Sequence, residues 1–137
     1  MHSIRYTYQM KNLEAKMQKS SRTILDFSFK DDILPILNQW ADENSFVTRA
    51  GPEGAIECQR GGGVVMCPVL LQIKQSGSNV HLETWLQVDI LTEFTTLFNA
   101  PAQSAIDSSG KLLWREKDIA RLYINRLLKD FGQPPIL

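Results

Sequence analysis

The side chains able to do chemistry in this 137-residue sequence are few. Two cysteines, Cys58 and Cys67, and two histidines, His2 and His81, are its whole stock of thiols and imidazoles. A zinc site takes about four such ligands. Strand alternation puts His81 on the opposite face from both cysteines, so no metal is expected. Two small buried thiols are the ordinary outcome for such a pair in a reducing compartment. His81-Leu82-Glu83 has the H-x-E spacing by which zinc deaminases set a carboxylate beside a metal. No Pro-Cys-x-x-Cys completes it, and on a strand the two side chains share an open, solvated face. Arg60-Gly61-Gly62-Gly63 is glycine-rich, but a phosphate cradle leads from a strand into a helix N-terminus, and this run leads into another strand. Ser108 and Lys111 have an S-x-x-K spacing without the other motifs of Ser–Lys enzymes. No catalytic residue is assigned, no cofactor is expected, and the sequence reads as that of a non-enzyme.

Composition bounds the alternatives. Lys+Arg and Asp+Glu number 15 each, the formal net charge is zero, and 43% of residues are hydrophobic. Enough apolar material for a core, with no charge excess, excludes a disordered chain. Two cysteines exclude a disulfide framework, and neutrality argues against a basic nucleic-acid binder. No apolar run reaches the length of about 18 residues that a spanning helix needs, and the N-terminus lacks an apolar signal core. The expectation is one domain over residues 1–137, soluble and cytoplasmic.

The neutral total hides a pattern. Arg5, Lys11, Lys16, Lys19 and Arg22 outweigh Glu14 at the N-terminus, and the segment from residue 111 onward is also basic. The middle is acidic, with Asp26, Asp31, Asp32, Asp42, Glu43, Glu53 and Glu57 against Lys30 and Arg49. Arg115, Arg121, Arg126 and Lys129 would form a basic helix face, interleaved with Glu116, Asp118 and Asp130. Those acids suit an exposed salt-bridged helix better than one tracking phosphates. Nucleic acid is therefore an unlikely partner, kept as a weak alternative through basic termini.

Hydrophobic periodicity supplies the elements. Residues 3–10 alternate as a strand, residues 11–25 are ambiguous and read as a short helix or loop followed by an extended segment, and Leu25, Phe27 and Phe29 again alternate. Asp31 or Asp32 caps a helix carrying Pro35 in its first turn, with Ile33, Leu34, Leu37, Trp40 and Ala41 inward and an end near Asn44. Strands follow at 46–48, 55–60, 64–74 and 79–90. A short helix over 91–98 ends before Pro101. From Trp114 to Phe131, Ile119, Ala120, Tyr123, Ile124, Leu127, Leu128 and Phe131 make an apolar stripe. Gly132 and Pro134-Pro135 stop that helix. Hairpin-linked strands with two amphipathic helices give an α+β two-layer sandwich: an antiparallel sheet of about four to five strands, the two main helices packed on one face.

A two-residue loop at Gly62-Gly63 would set Cys58 opposite Cys67, and one at Ser76-Gly77 would set Leu71 opposite Leu82. Both registers send the same residues inward. They leave Met66, Leu70 and Trp85 on the outer sheet face among polar neighbours, Pro68 facing Trp85. A Trp-containing apolar patch of that kind marks an interaction surface. The function expected is a non-catalytic protein-interaction or self-association module using the outer sheet face. A small apolar ligand in a cavity between sheet and helices, suggested by bulky residues such as Trp40 and Trp114, is the alternative.

Overall fold

The computed structural model describes residues 22–61, 67–87, 103–107 and 114–137. Six strands form one sheet: β1 (Thr23–Ser28), β2 (Val47–Ala50), β3 (Ile56–Arg60), β4 (Val69–Ser76), β5 (Asn79–Gln87) and β6 (Gln103–Ser104). Every pairing is antiparallel, in the order β1-β5-β4-β3-β2. β6 continues the line of β1, pairing with Leu86 and Gln87 of β5. Among the described residues two α-helices, α1 (Leu34–Glu43) and α2 (Trp114–Asp130), complete the α+β sandwich that the periodicity predicts.

The helices cover one face because alternation makes that face apolar. Cys58, Leu71, Ile73, Val80, Leu82 and Leu86 point inward and meet Leu37 and Trp40 of α1 and Ile124, Leu127 and Leu128 of α2. Each fully buried side chain of this size stabilises the fold by roughly 1.5–3 kcal/mol. Trp40 also donates its indole N–H to the Tyr123 carbonyl at 3.0 Å, which ties the two helices together.

The helix ends follow their sequence signals in part. The cap residue of α1 is Ile33, with no side-chain cap bond, rather than the expected Asp31 or Asp32. Asp32, one position earlier, still accepts the Leu34 N–H on Oδ1 at 3.0 Å, and Pro35 lies in the first turn, where its missing N–H costs nothing. Gln75 of β4 reaches up to accept the Ile33 N–H at 3.1 Å and to donate to the Asp31 carbonyl at 2.7 Å. The C-terminus of α2 closes through Gly132, whose φ of 71° suits glycine. Gly132 N–H reaches Lys129 O at 2.9 Å and Gln133 N–H reaches Leu128 O at 2.8 Å, the paired bonds of a Schellman end.

Four expectations need correction. Strand β1 begins at Thr23 and pairs with β5, so part of the ambiguous stretch belongs to the sheet. Cys58 faces Leu71 rather than Cys67, because β3 pairs with β4 from Arg60↔Val69 onward and eight residues, 61–68, join them. Pro68 has no N–H to contribute, though its carbonyl accepts the Gln87 N–H at 2.9 Å. Leu70, not Pro68, stands opposite Trp85. The β4–β5 loop is centred one residue later, on Gly77-Ser78, with glycine at the first loop position (φ 63°) and Leu71 opposite Thr84. The registers differ from expectation by four and by two residues, so every side chain keeps its face. The expectations for 3–10, 91–98 and 108–110 lie outside the described residues.

Candidate functional site

The sandwich has two outer faces, and their chemistry differs. On the sheet, one row of residues crosses from β2 to β5 in register: Arg49↔Glu57, Glu57↔Gln72, Gln72↔Glu83. The row is bonded throughout. Arg49 Nε donates to Glu57 Oε2 at 2.7 Å, and Gln72 Nε2 donates to Glu57 Oε1 at 3.3 Å. Arg22 donates to Gln72 Oε1 at 3.3 Å and lies 3.6 Å from Glu83 Oε1. The next row holds His81 between two carboxylates, with Nδ1 2.6 Å from Asp26 and Nε2 3.1 Å from Glu83. The Asp26 hydrogen bond raises the His81 pKa above its ordinary value; partial burial opposes this, and Glu83 adds to the rise.

A cleft of about 400 Å³ opens on this face, lined by Pro52, Glu53, Ala55, Lys74, His81 and Glu83 among others. Its lining contains no hydroxyl or thiol for His81 to activate. Among the described residues, no group of three or more His, Cys, Asp or Glu side chains could hold a metal ion. Cys58 is fully buried, and burial pushes its thiol up to about 12, with Glu57 adding to the effect. A thiol held that far from thiolate is inert. Burial also raises Cys67, with Glu116 contributing.

The expected apolar patch on this face is not open. Leu70 is 6% exposed and Trp85 is 2% exposed, while Met66 lies outside the described residues. The Arg22 guanidinium carbon sits 3.7 Å from the centre of the Trp85 ring, and Arg22 Nε donates to Gln103 Oε1 at 2.9 Å. The indole N–H is taken by Gln87 Oε1 at 3.0 Å. The register carries a signal for this cover. One position beyond Thr23↔Thr84, Arg22 stands across from Trp85. That pairing becomes visible only once β1 is known to flank β5.

The helix layer is different. Leu122 is 55% exposed and Ile119 is 42% exposed, and Trp114 is also open to solvent. Ile119 therefore leaves the buried stripe expected of it, and Trp114 is not a core residue. At 100° per residue, Leu122 falls opposite the stripe of Ala120, Ile124, Leu127 and Leu128. That spacing marks Leu122 as outward-facing, a residue the stripe reading passed over. Leu34 of α1, expected inward, is 42% exposed.

The four basic residues divide. Arg115 and Lys129 are exposed beside Ile119 and Leu122, Arg115 lying 5.7 Å from the Trp114 ring centre. Arg121 is a structural clip, donating to the Ile106 carbonyl at 2.7 Å and pairing with Asp118. Arg126 donates to Asn44 Oδ1 at 2.8 Å, bridging α2 to the end of α1. They do not form one free basic face. No described helix is long and apolar enough to cross a membrane. No protein-family model, curated protein or solved structure matches the chain.

Proposed function

We propose that this chain is a non-catalytic protein-interaction module whose contact surface is the outer face of α2. One observation carries the reading: Leu122 and Ile119 stand exposed in the middle of a helix whose other face is fully used by the core. Single exposed aliphatics are ordinary, but two neighbouring ones with Arg115 and Arg126 on the same side of the helix have the composition of an interface centre. The sheet face supports the same reading by contrast. Its polar groups bond to each other, and its tryptophan is covered. The contact surface thus moves from the sheet to the helix layer, and the module character stays.

A photo-reactive benzoyl-phenylalanine placed at position 122 tests this in cells that make the protein. The expected result is one discrete adduct, with another protein or of twice the chain mass. The same probe at position 74, on the sheet face, should give none. A smear or no adduct at position 122 would remove the reading.

A further inference from the structure

We infer that the partner of this surface is a second copy of the chain, docked helix layer to helix layer with α1 of each copy on α2 of the other. The inference rests on the reading of α2 as a contact surface and adds the partner and its orientation.

The argument begins with charge. Within α1 the charged residues are Asp42 and Glu43, a net of −2, with Asp31 and Asp32 just before the first turn. Within α2, Arg115, Lys117, Arg121, Arg126 and Lys129 stand against Glu116, Asp118 and Asp130, a net of +2. Lys117 is buried and Arg121 is taken up by Ile106 and Asp118, so the exposed charges of α2 are Arg115, Arg126 and Lys129 against Asp118 and Asp130, a net of +1. An acidic helix and a weakly basic one thus lie side by side in one layer, held together by the Trp40–Tyr123 and Arg126–Asn44 hydrogen bonds. Asp42 and Glu43 of α1 and Arg115 and Lys129 of α2 are exposed. Each helix also carries bare aliphatic surface, Leu34 on α1 and Ile119 and Leu122 on α2.

Symmetry then selects an arrangement. Most homodimers have a two-fold axis that brings the same patch of both copies together. With the axis lying in the interface along the groove between α1 and α2, rotation sets each acidic α1 over the other copy's basic α2. With the axis across the helices, acidic α1 would meet acidic α1, and like-charge juxtaposition opposes that mode. Only the first arrangement matches both charge pairs at once.

Size sets the strength. The 17 residues of α2 span about 26 Å at about 1.5 Å each. Two helices packed about 8–10 Å apart give a face roughly 20 Å wide, but the 10 residues of α1 reach only about 15 Å, so the two α1-on-α2 contacts cover about 300 Å² in plan for each copy. That is below the standard size of specific interfaces, so the dimer is weak and concentration-dependent.

Sedimentation equilibrium of the 137-residue chain tests the inference between about 1 µM and about 1 mM, the range in which a weak dimer dissociates. Wild type should approach twice its monomer mass and dissociate about tenfold more readily in 0.5 M salt, because exposed charge pairs are screened. The double variant Arg115→Glu/Lys129→Glu makes α2 acidic. The double variant Asp42→Lys/Glu43→Lys makes α1 basic. Each alone should weaken the dimer about tenfold or more, since both of its contacts now repel. An equimolar mixture should restore it, because in the mixed dimer an acidic α2 meets a basic α1 at one contact and a basic α2 meets an acidic α1 at the other. All four positions are exposed, and unchanged circular dichroism would confirm that the variants fold. A dimer indifferent to both double variants, or a mixture that stays monomeric, would overturn the arrangement. Wild type monomeric throughout would overturn the second-copy partner. If position 122 still cross-links to a different protein, the α2 reading survives that loss; if it cross-links to nothing, both fall.

Discussion

The outer sheet face and the outer helix face contain similar materials and use them differently. Each carries arginines, carboxylates and large apolar side chains. On the sheet, Arg22 lies over Trp85 and also bonds to Gln72 and Gln103, so one cation covers the apolar residue and ties three elements together. On α2, Arg121 and Arg126 turn back toward Ile106 and Asn44 and leave Leu122 bare. A flat antiparallel sheet holds cross-strand neighbours about 5 Å apart, close enough for a polar residue on one strand to cover an apolar one on the next. The crest of a helix has no neighbouring strand. What covers it must come from elsewhere in the chain or from another molecule.

The sharpest way to break this contrast is to truncate one apolar residue on each face. Trp85→Ala should cost about 3–5 kcal/mol, the range for large aromatics removed from a packed site. Leu122→Ala should change monomer stability by less than about 0.5 kcal/mol, as exposed positions do. Urea unfolding of both variants at low micromolar concentration would read the difference as a shift in midpoint at constant slope. A Trp85→Ala protein within about 1 kcal/mol of wild type would mean that the sheet face is not sealed.

Arg22→Ala comes next in size. It removes a cation–π contact, two side-chain hydrogen bonds and an ion pair, all at a partly solvated position. A loss of about 1–2 kcal/mol is expected after allowing for that exposure. Arg22→Lys should recover only a fraction, because an ammonium cannot lie flat on the indole while reaching two glutamines. Trp85 fluorescence should shift to the red in Arg22→Ala as water reaches the ring. An unmoved emission maximum would show that Arg22 is not what keeps the indole dry.

The same two faces show which part of the fold was legible in residue types alone. Inward and outward alternation depends only on parity, so Cys58, Leu71 and Leu82 lie in the core although both hairpin registers are displaced. Register depends on loop length, and nothing in Gly61-Gly62-Gly63 says that the chain between β3 and β4 continues to Pro68 before pairing resumes. The cover over Trp85 needed a long-range fact, that β1 lies beside β5. The bare crest of α2 was within reach: Leu122 sits opposite the buried stripe by simple helical geometry. Agreement among apolar residues defines a stripe, and Leu122 disagrees with it. Leu34 lies at the margin of the α1 stripe, where a small rotation decides exposure, whereas Ile119 by the same geometry falls nearer Leu122 than the buried stripe.

The smallest expected effect separates the faces by pH. When protonated, His81 donates from both ring nitrogens, to Asp26 and to Glu83, with Lys74 opposite it on β4. Its folded pKa is raised above the unfolded value near 6.5, chiefly by the Asp26 hydrogen bond. A raised pKa means that the folded state holds the proton more tightly. The stabilisation is therefore complete below about pH 6.5 and is lost as pH rises through the folded value. The imidazole is nearly half exposed, so screening holds the effect to a fraction of a kcal/mol. Thermal melts of wild type should fall slightly from pH 6 to pH 8.5, and His81→Asn should flatten that slope. Mutating Lys129 on the helix face should leave it unchanged. A His81→Asn slope equal to wild type would mean that the Asp26–His81–Glu83 row is ornament to the fold, and the sheet face would lose its claim to be a closed polar lattice.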